Sequence, residues 1–162
     1  MKKILILLLL ITSTLSAQKK LDKLLNKFNK NNVPYISVDT LATAKTFLLD
    51  AREPKEYNVS HLENAILVGF DHFNINETID KLPKNRDAKI VVYCSVGVRS
   101  EIIAHQIIEK GYTNVYNLFG GIFEWKNNGF QVIDTLGNPT EKVHTYNKEW
   151  SKWLTKGEKV HE

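Results

Sequence analysis

Cys94 is the only cysteine among 162 residues, and the residues on either side of it have the types and order that reactive thiols need. Before it runs Ile90-Val91-Val92-Tyr93, β-branched, aromatic and unbroken, the pattern of a strand buried on both faces of a parallel sheet. After it come Ser95-Val96-Gly97-Val98 as a loop, then a stretch from Arg99 to Lys110 with Ile102, Ile103, Gln106 and Ile107 on one helical face. A thiol at the carboxyl end of a buried parallel strand stands where open α/β sheets place their ligands. Backbone N–H groups in a loop entering a helix lack intrahelical partners, and with the helix dipole they favour an anion. If Cys94 is that anion, its pKa drops from about 8.5 towards roughly 4–7 and most of it is thiolate at neutral pH. Gly97 lets the backbone curl without a Cβ clash. Arg99 brings a fixed positive charge to the mouth, or an ion pair with a neighbouring carboxylate. The same residues also suit an inert cysteine packed as a small hydrophobe.

The elements that hold this loop are readable from periodicity. Tyr35 to Val38 and Thr46 to Asp50 predict short strands, and Ala65 to Val68 a third. Val115 to Leu118 predicts another after the loop's helix, with Gly111 as the helix C-cap. Helices are expected from Pro54, between Ile75 and Leu82, and over Ile122–Asn127. Strands alternating with helices argue for an α/β domain with a mostly parallel sheet.

Several motifs in this order resemble those of rhodanese-like domains. Cys94-Ser95-Val96-Gly97-Val98-Arg99-Ser100 is similar to that family's C-x-x-G-x-R-S loop, and Asp50-Ala51-Arg52-Glu53-Pro54-Lys55-Glu56-Tyr57 to its D-x-R-x-x-x-E-[FY] segment. Leu118-Phe119-Gly120-Gly121-Ile122-Phe123-Glu124-Trp125 resembles L-x-G-G-x-x-x-W. His61-Leu62-Glu63-Asn64-Ala65 stands where H-I-P-G-A is usual; Ser60, Glu63 and Asn64 depart from the usual Gly, Pro and Gly there, and Gln131 from a common proline. The resemblance implies a three-layer α/β domain with a mostly parallel five-stranded sheet flanked by helices. It also implies a sulfur relay. Cys94 would take the outer sulfur of thiosulfate or a persulfide donor and pass it to a thiol, cyanide or a protein acceptor. The backbone of Ser95, Val96, Gly97, Val98 and Ser100 would cradle the anion, and Arg99 would supply charge. The C-x4-R length implied by the resemblance favours sulfur transfer over the longer loops of cysteine phosphatases and arsenate reductases. A binding module without catalysis is the other alternative.

Asp50 and Arg52 are expected at the mouth as supporting residues, with an ion pair that holds the adjoining loop preferred to a substrate contact. His61 reads as a hydrogen-bonded turn residue and Trp125 as core. His72, His105, His144 and His161 have no metal-ligand spacing, and no metal or organic cofactor is implied.

Residues 1–17 carry Lys2 and Lys3, an apolar run from Ile4 to Ile11, and small or polar residues up to Ala17, the order of a secretory signal peptide. The apolar run is short of the ~20 residues a span needs. Export is therefore expected, to a periplasm or beyond, with no stable membrane span after cleavage. A single cysteine excludes an intramolecular disulfide and any multi-cysteine zinc site. Without Lys2 and Lys3, 20 basic residues face 18 acidic ones, a balance of +2 that does not argue for nucleic acid. The expected layout is a signal peptide at 1–17 and an amphipathic helix within 18–33, carrying Leu21, Leu24, Leu25 and Phe28. The domain follows at 34–137, then a tail at 138–162 whose Tyr146, Trp150, Trp153 and Leu154 suggest a docked terminal helix.

Overall fold

Parallel strand pairing organises the protein, whose computed structural model describes residues 19–161. The signal peptide expected over 1–17 lies outside the described residues. Two units are distinguished, one ending at Asn31 and one beginning at Asn32. In the first, residues 19–28 form helix α1; Phe28, expected on its apolar face, is exposed.

The second unit begins β1 (Tyr35–Ile36), α2 (Val38–Thr43), β2 (Phe47–Asp50), α3 (Pro54–Val59) and β3 (Ile66–Leu67). It continues α4 (Ile75–Lys81), β4 (Ile90–Tyr93), α5 (Arg99–Glu109), β5 (Val115–Leu118) and α6 (Gly121–Asn127). The five strands form one sheet, entirely parallel, in the order β1-β5-β4-β2-β3. The α/β architecture with helices flanking a five-stranded sheet is the expected one. The strand expected to run to Val38 stops at Ile36, because Ser37 caps a helix: its Oγ accepts the Thr40 N–H at 3.2 Å, and Asp39 lies in the first turn.

Strand β4 is buried at all four positions, with Phe47–Asp50 aligned residue for residue along it. Alternation sends Ile90 and Val92 to one face. There they join Leu49, Ile103, Ala104 and Ile107 in the core, with Ile75 and Ile79 of α4 packed against it. From β2 the chain leaves through α3 to β3 at one edge, whereas from β4 it leaves through α5 to β5 on the other side. The outgoing connections of two neighbouring strands diverge, and that divergence opens a crevice at their carboxyl ends.

Beyond α6 the chain departs from expectation. Strands β6 (Val132–Ile133) and β7 (Pro139–Thr140) form an antiparallel hairpin, so a boundary at 137/138 falls inside a paired element. Strands β8 (Lys142–His144) and β9 (Glu158–Val160) pair in parallel. The expected terminal helix is a single 3₁₀ turn, Trp150–Trp153, between them. Its start is held by Asn147, whose Oδ1 accepts the Trp150 N–H at 3.0 Å. This tail is pinned to the end of α6. Lys126 Nζ lies 2.7 Å from Glu141 Oε1, Asn127 Nδ2 donates to the Trp153 carbonyl at 2.9 Å, and Asn127 Oδ1 accepts the Thr155 N–H at 2.7 Å. Val143 and Leu154 are fully buried. Trp125 is half-buried rather than core; its Nε1 donates to the Gln131 carbonyl at 2.7 Å and its ring leans on Phe130. No helix among the described residues is long and apolar enough to cross a membrane.

Candidate active site

The crevice between β2 and β4 receives one loop from each strand. Cys94 follows Tyr93 directly, and its loop is clamped from behind by the start of α6. The Ile122 N–H donates to the Cys94 carbonyl at 2.9 Å and the Phe123 N–H to the Ser95 carbonyl at 3.2 Å. Gly121 makes this approach possible: a Cβ there would stand 2.2 Å from the Cys94 carbonyl oxygen. With those carbonyls drawn towards α6, the Gly97 N–H donates to Cys94 Sγ at 3.2 Å, from a backbone at φ 110 that glycine adopts at little cost. Asn117 of β5 fastens the far side. Its Nδ2 donates to the Gly97 carbonyl at 2.8 Å and its Oδ1 accepts the Ser100 hydroxyl at 2.7 Å. That hydroxyl also lies 3.4 Å from Sγ and has one proton for the two acceptors. Of the residues expected to cradle the anion, Gly97 and Ser100 aim N–H groups at the sulfur, whereas Ser95, Val96 and Val98 line the pocket in front of it.

Arg99 turns out to be held by a partner the sequence reading did not assign. Glu56 of α3, fully buried, accepts both Arg99 Nη1 and Nη2 at 2.7 Å. Ser95 closes the triangle, accepting from Arg99 Nη2 and donating to Glu56 Oε1, each at 3.1 Å. Glu56 Oε2 also accepts the Glu53 N–H at 3.0 Å, which fastens the carboxylate to the first turn of its own helix. Burial pushes the Glu56 carboxyl up, but the Arg99 hydrogen bonds and charge, helped by Arg52, hold it below the usual carboxylate range.

Burial also pushes the Cys94 thiol up, since its sulfur is almost wholly enclosed. The Arg99 charge and the hydrogen bonds from Ser100 and Gly97 outweigh burial and hold the thiol below its ordinary value. Cys94 belongs at once to the apolar core and to the floor of a pocket.

Asp50 and Arg52 form a bidentate buried pair, with Arg52 Nε 3.0 Å from Asp50 Oδ1 and Nη2 2.6 Å from Oδ2. Arg52 Nη2 also donates to the Ser60 carbonyl at 2.7 Å, and the guanidinium lies over the Tyr93 ring at 5.6 Å. Both residues are fully buried beneath the crevice, holding the loop after β2 rather than facing the pocket. His61 is stacked on Tyr57 with Nδ1 3.1 Å from its carbonyl oxygen. Asn64, where the resembled motif has glycine, sits at φ 61, a conformation asparagine tolerates.

The pocket above Sγ has a volume of about 280 Å³. Besides the thiol loop it is walled by Glu53, Phe70, Asp71, Tyr146 and Trp150. Sequence reasoning left Glu56 and Asn117 without a role, and Tyr146 and Trp150, expected to dock a terminal helix, line the pocket instead. Asn117 carried a signal, a lone amide inside the apolar run Val115–Leu118. Among the described residues no group of His, Cys, Asp and Glu is arranged to hold a metal ion.

The family model of the rhodanese-like domain matches residues 18–128, and the chain belongs to that family. Relatives by sequence include the tRNA uridine(34) hydroxylase of Photorhabdus laumondii, 39% identical over 82 residues that make up 49% of this chain and 23% of the relative. The protein of the same name from Pectobacterium carotovorum is 35% identical over 105 residues, 60% of this chain and 30% of the relative. The chain thus spans between about a quarter and a third of the length of these relatives. Among solved structures, the rhodanese-related protein of Thermoplasma volcanium aligns with a TM-score of 0.54 at 27% identity, covering 62% of this chain and 97% of that one. The thiosulfate sulfurtransferase of Pseudomonas aeruginosa aligns with a TM-score of 0.58 at 19% identity, covering 85% and 26%, a likeness of fold.

Proposed function

We propose that this protein is a sulfurtransferase that carries sulfane sulfur as a persulfide on Cys94. The observation that carries this reading is a buried thiol held below its ordinary pKa by the Arg99 charge and by donors from Gly97 and Ser100, at the floor of an open pocket. A thiolate is the attacking form in sulfur exchange. With thiosulfate, Sγ attacks the outer sulfur, the bond between the two thiosulfate sulfurs breaks, and sulfite departs with the electron pair. The Cys94 persulfide keeps one negative charge, and the donors that held the thiolate remain in reach of it. Cyanide or an acceptor thiolate then attacks the outer sulfur, the S–S bond breaks, and Sγ returns to thiolate as thiocyanate or the acceptor persulfide leaves. Arg99 stays cationic throughout, locked by Glu56, so its role is electrostatic rather than proton transfer.

Intact mass spectrometry tests this directly. After incubation with thiosulfate the protein should gain one sulfur, mapped to Cys94 and removed by cyanide. A chain that never gains it, with faster turnover of a chromogenic phosphate ester, would move the reading to phosphoryl chemistry. Equal sulfur transfer by Cys94→Ser would favour a binding module. The tRNA in the names of these relatives belongs to proteins much longer than the matched segment. The near-neutral charge balance of +2 beyond the expected leader supports a small sulfur compound over nucleic acid. Export is part of the proposal, resting on the residue order of positions 1–17; fractionation that leaves the full-length chain in the cytoplasm would remove it.

A further inference from the structure

The family match ends at residue 128, yet two residues of the later tail stand at the mouth of the Cys94 pocket. Tyr146 lays its ring over the Arg99 guanidinium at 5.2 Å, on a cation whose nitrogens are already bonded to Glu56. Trp150 lines the same pocket from the 3₁₀ turn. Tyr146 reaches this position at φ 65, a left-handed conformation that bulky side chains rarely adopt. The flanking chain enforces it. Its N–H donates to His144 Nδ1 at 3.0 Å, the Thr145 N–H donates to the Val160 carbonyl at 3.0 Å, and the Asn147 N–H donates to the Thr145 carbonyl at 2.7 Å. A strained backbone held by its surroundings at the rim of a reactive site points to function, not packing. Tyr146 also remains exposed, so its ring does not serve the core.

The pocket's chemistry indicates what it admits. Its volume of about 280 Å³ is near the lower end of sites for small organic molecules, about 300 Å³. Phe70, Val96, Val98, Tyr146 and Trp150 make its walls apolar. Its charges are mostly negative: Glu53 and Asp71 stand on the rim, Glu56 neutralises Arg99, and Cys94 is itself anionic when reactive. A doubly charged anion meets repulsion there, whereas an apolar body gains burial.

We propose that Tyr146 and Trp150 form a selectivity wall, and that the sulfur partner they admit is a low-molecular-weight organic thiol, or its persulfide, with an apolar body and at most one negative charge. This deepens the sulfur-transfer reading and rests on it. In the discharge step the acceptor thiolate attacks the outer sulfur of the Cys94 persulfide. The bond from Sγ breaks, its electron pair returns to Sγ, and the acceptor leaves as its own persulfide, with no external oxidant.

The test uses the full chain, first loaded with 2-phenylethyl persulfide, which carries a single charge, or with excess thiosulfate, and checked by intact mass. It is then discharged by 2-phenylethanethiol, by mercaptosuccinate or by cyanide. The native chain should half-saturate with 2-phenylethanethiol at a concentration at least about tenfold below that for the dianion. Tyr146→Gly and Trp150→Leu should erase most of that difference through the half-saturating concentration, while Tyr146→Phe keeps it. Because glycine relieves the positive φ, Tyr146→Gly should melt no lower than the native chain, which separates lost selectivity from lost folding. A chain that does not load with either donor overturns the sulfur-transfer reading. A chain that loads but discharges equally to both thiols overturns the wall, as does a preference untouched by both variants.

Discussion

Glu56 and Arg99, 43 residues apart, meet through two 2.7 Å hydrogen bonds and so tie α3, in the loop connection leaving β2, to the first residue of α5, in the loop connection leaving β4. Each loop comes from a strand whose onward connection runs to a different side of the sheet. The pair therefore closes the crevice that the topology opens, and it places a compensated positive charge beside Sγ.

Neutralising either partner should move the thiol in opposite directions. Arg99→Gln removes the main group favouring thiolate and should raise the pH midpoint of Cys94 alkylation. Glu56→Gln removes a negative charge from the neighbourhood and should lower it. Iodoacetamide rates measured from pH 4 to 10 check both, and a shift of the same sign in the two variants would contradict the electrostatic account.

Glu56→Gln should also cost roughly 3 kcal/mol of stability, read by urea unfolding, because it breaks a largely buried pair and leaves Arg99 without a counter-charge. The pH dependence has a defined sign. The folded carboxyl lies below its unfolded value of about 4.3, so its contribution is complete above that value and is lost as pH falls through the folded pKa. The native chain should lose stability on acidification below about pH 4.3, and the variant should lose less over the same interval.

Gly121→Ala should destabilise by about 3 kcal/mol, since its Cβ would fall 2.2 Å from the Cys94 carbonyl oxygen and 2.7 Å from that of Ser95. Backbone, not a flexible side chain, is what it strikes. The loop must shift, so Cys94 alkylation at neutral pH should slow along with the fall in unfolding midpoint.

Asn117→Ala releases the Gly97 carbonyl and the Ser100 hydroxyl together. Leaving buried polar groups unpaired costs about 1–3 kcal/mol. The Gly97 N–H then loses its fixed aim at Sγ, and the alkylation midpoint should rise. Ser100→Ala removes the hydroxyl beside Sγ outright and should raise it more, because the hydroxyl released in Asn117→Ala can still donate to the sulfur.

Sequence patterning resolved the central strands to the residue. Ile90–Tyr93 and Val115–Leu118 are short unbroken runs rich in β-branched and aromatic side chains, and burial in the middle of a parallel sheet requires that composition. The thiol loop was readable for the same reason, as it begins where β4 ends. Helix α2 was hidden because Val38 continues a β-branched stretch, and only the Ser37 cap, a local side-chain bond, turns the chain. Glu56 sat in plain view within the Asp50–Tyr57 segment, but its partner lies on another element, and spacing along the chain does not encode such pairs. The tail was least readable: β8 and β9 are three-residue strands with largely polar sequences, and the segments beside them are held by Lys126 and Asn127 from a distant helix.

Strand β9 ends at Val160, whose carbonyl accepts from both the backbone and the hydroxyl of Thr145, the residue before Tyr146. Cargo fused soon after Val160 would thus tug on a ribbon wired to the pocket's doorway. Purification handles and fluorescent reporters placed there need a generous spacer, or they will report on a protein whose entrance they have themselves reshaped.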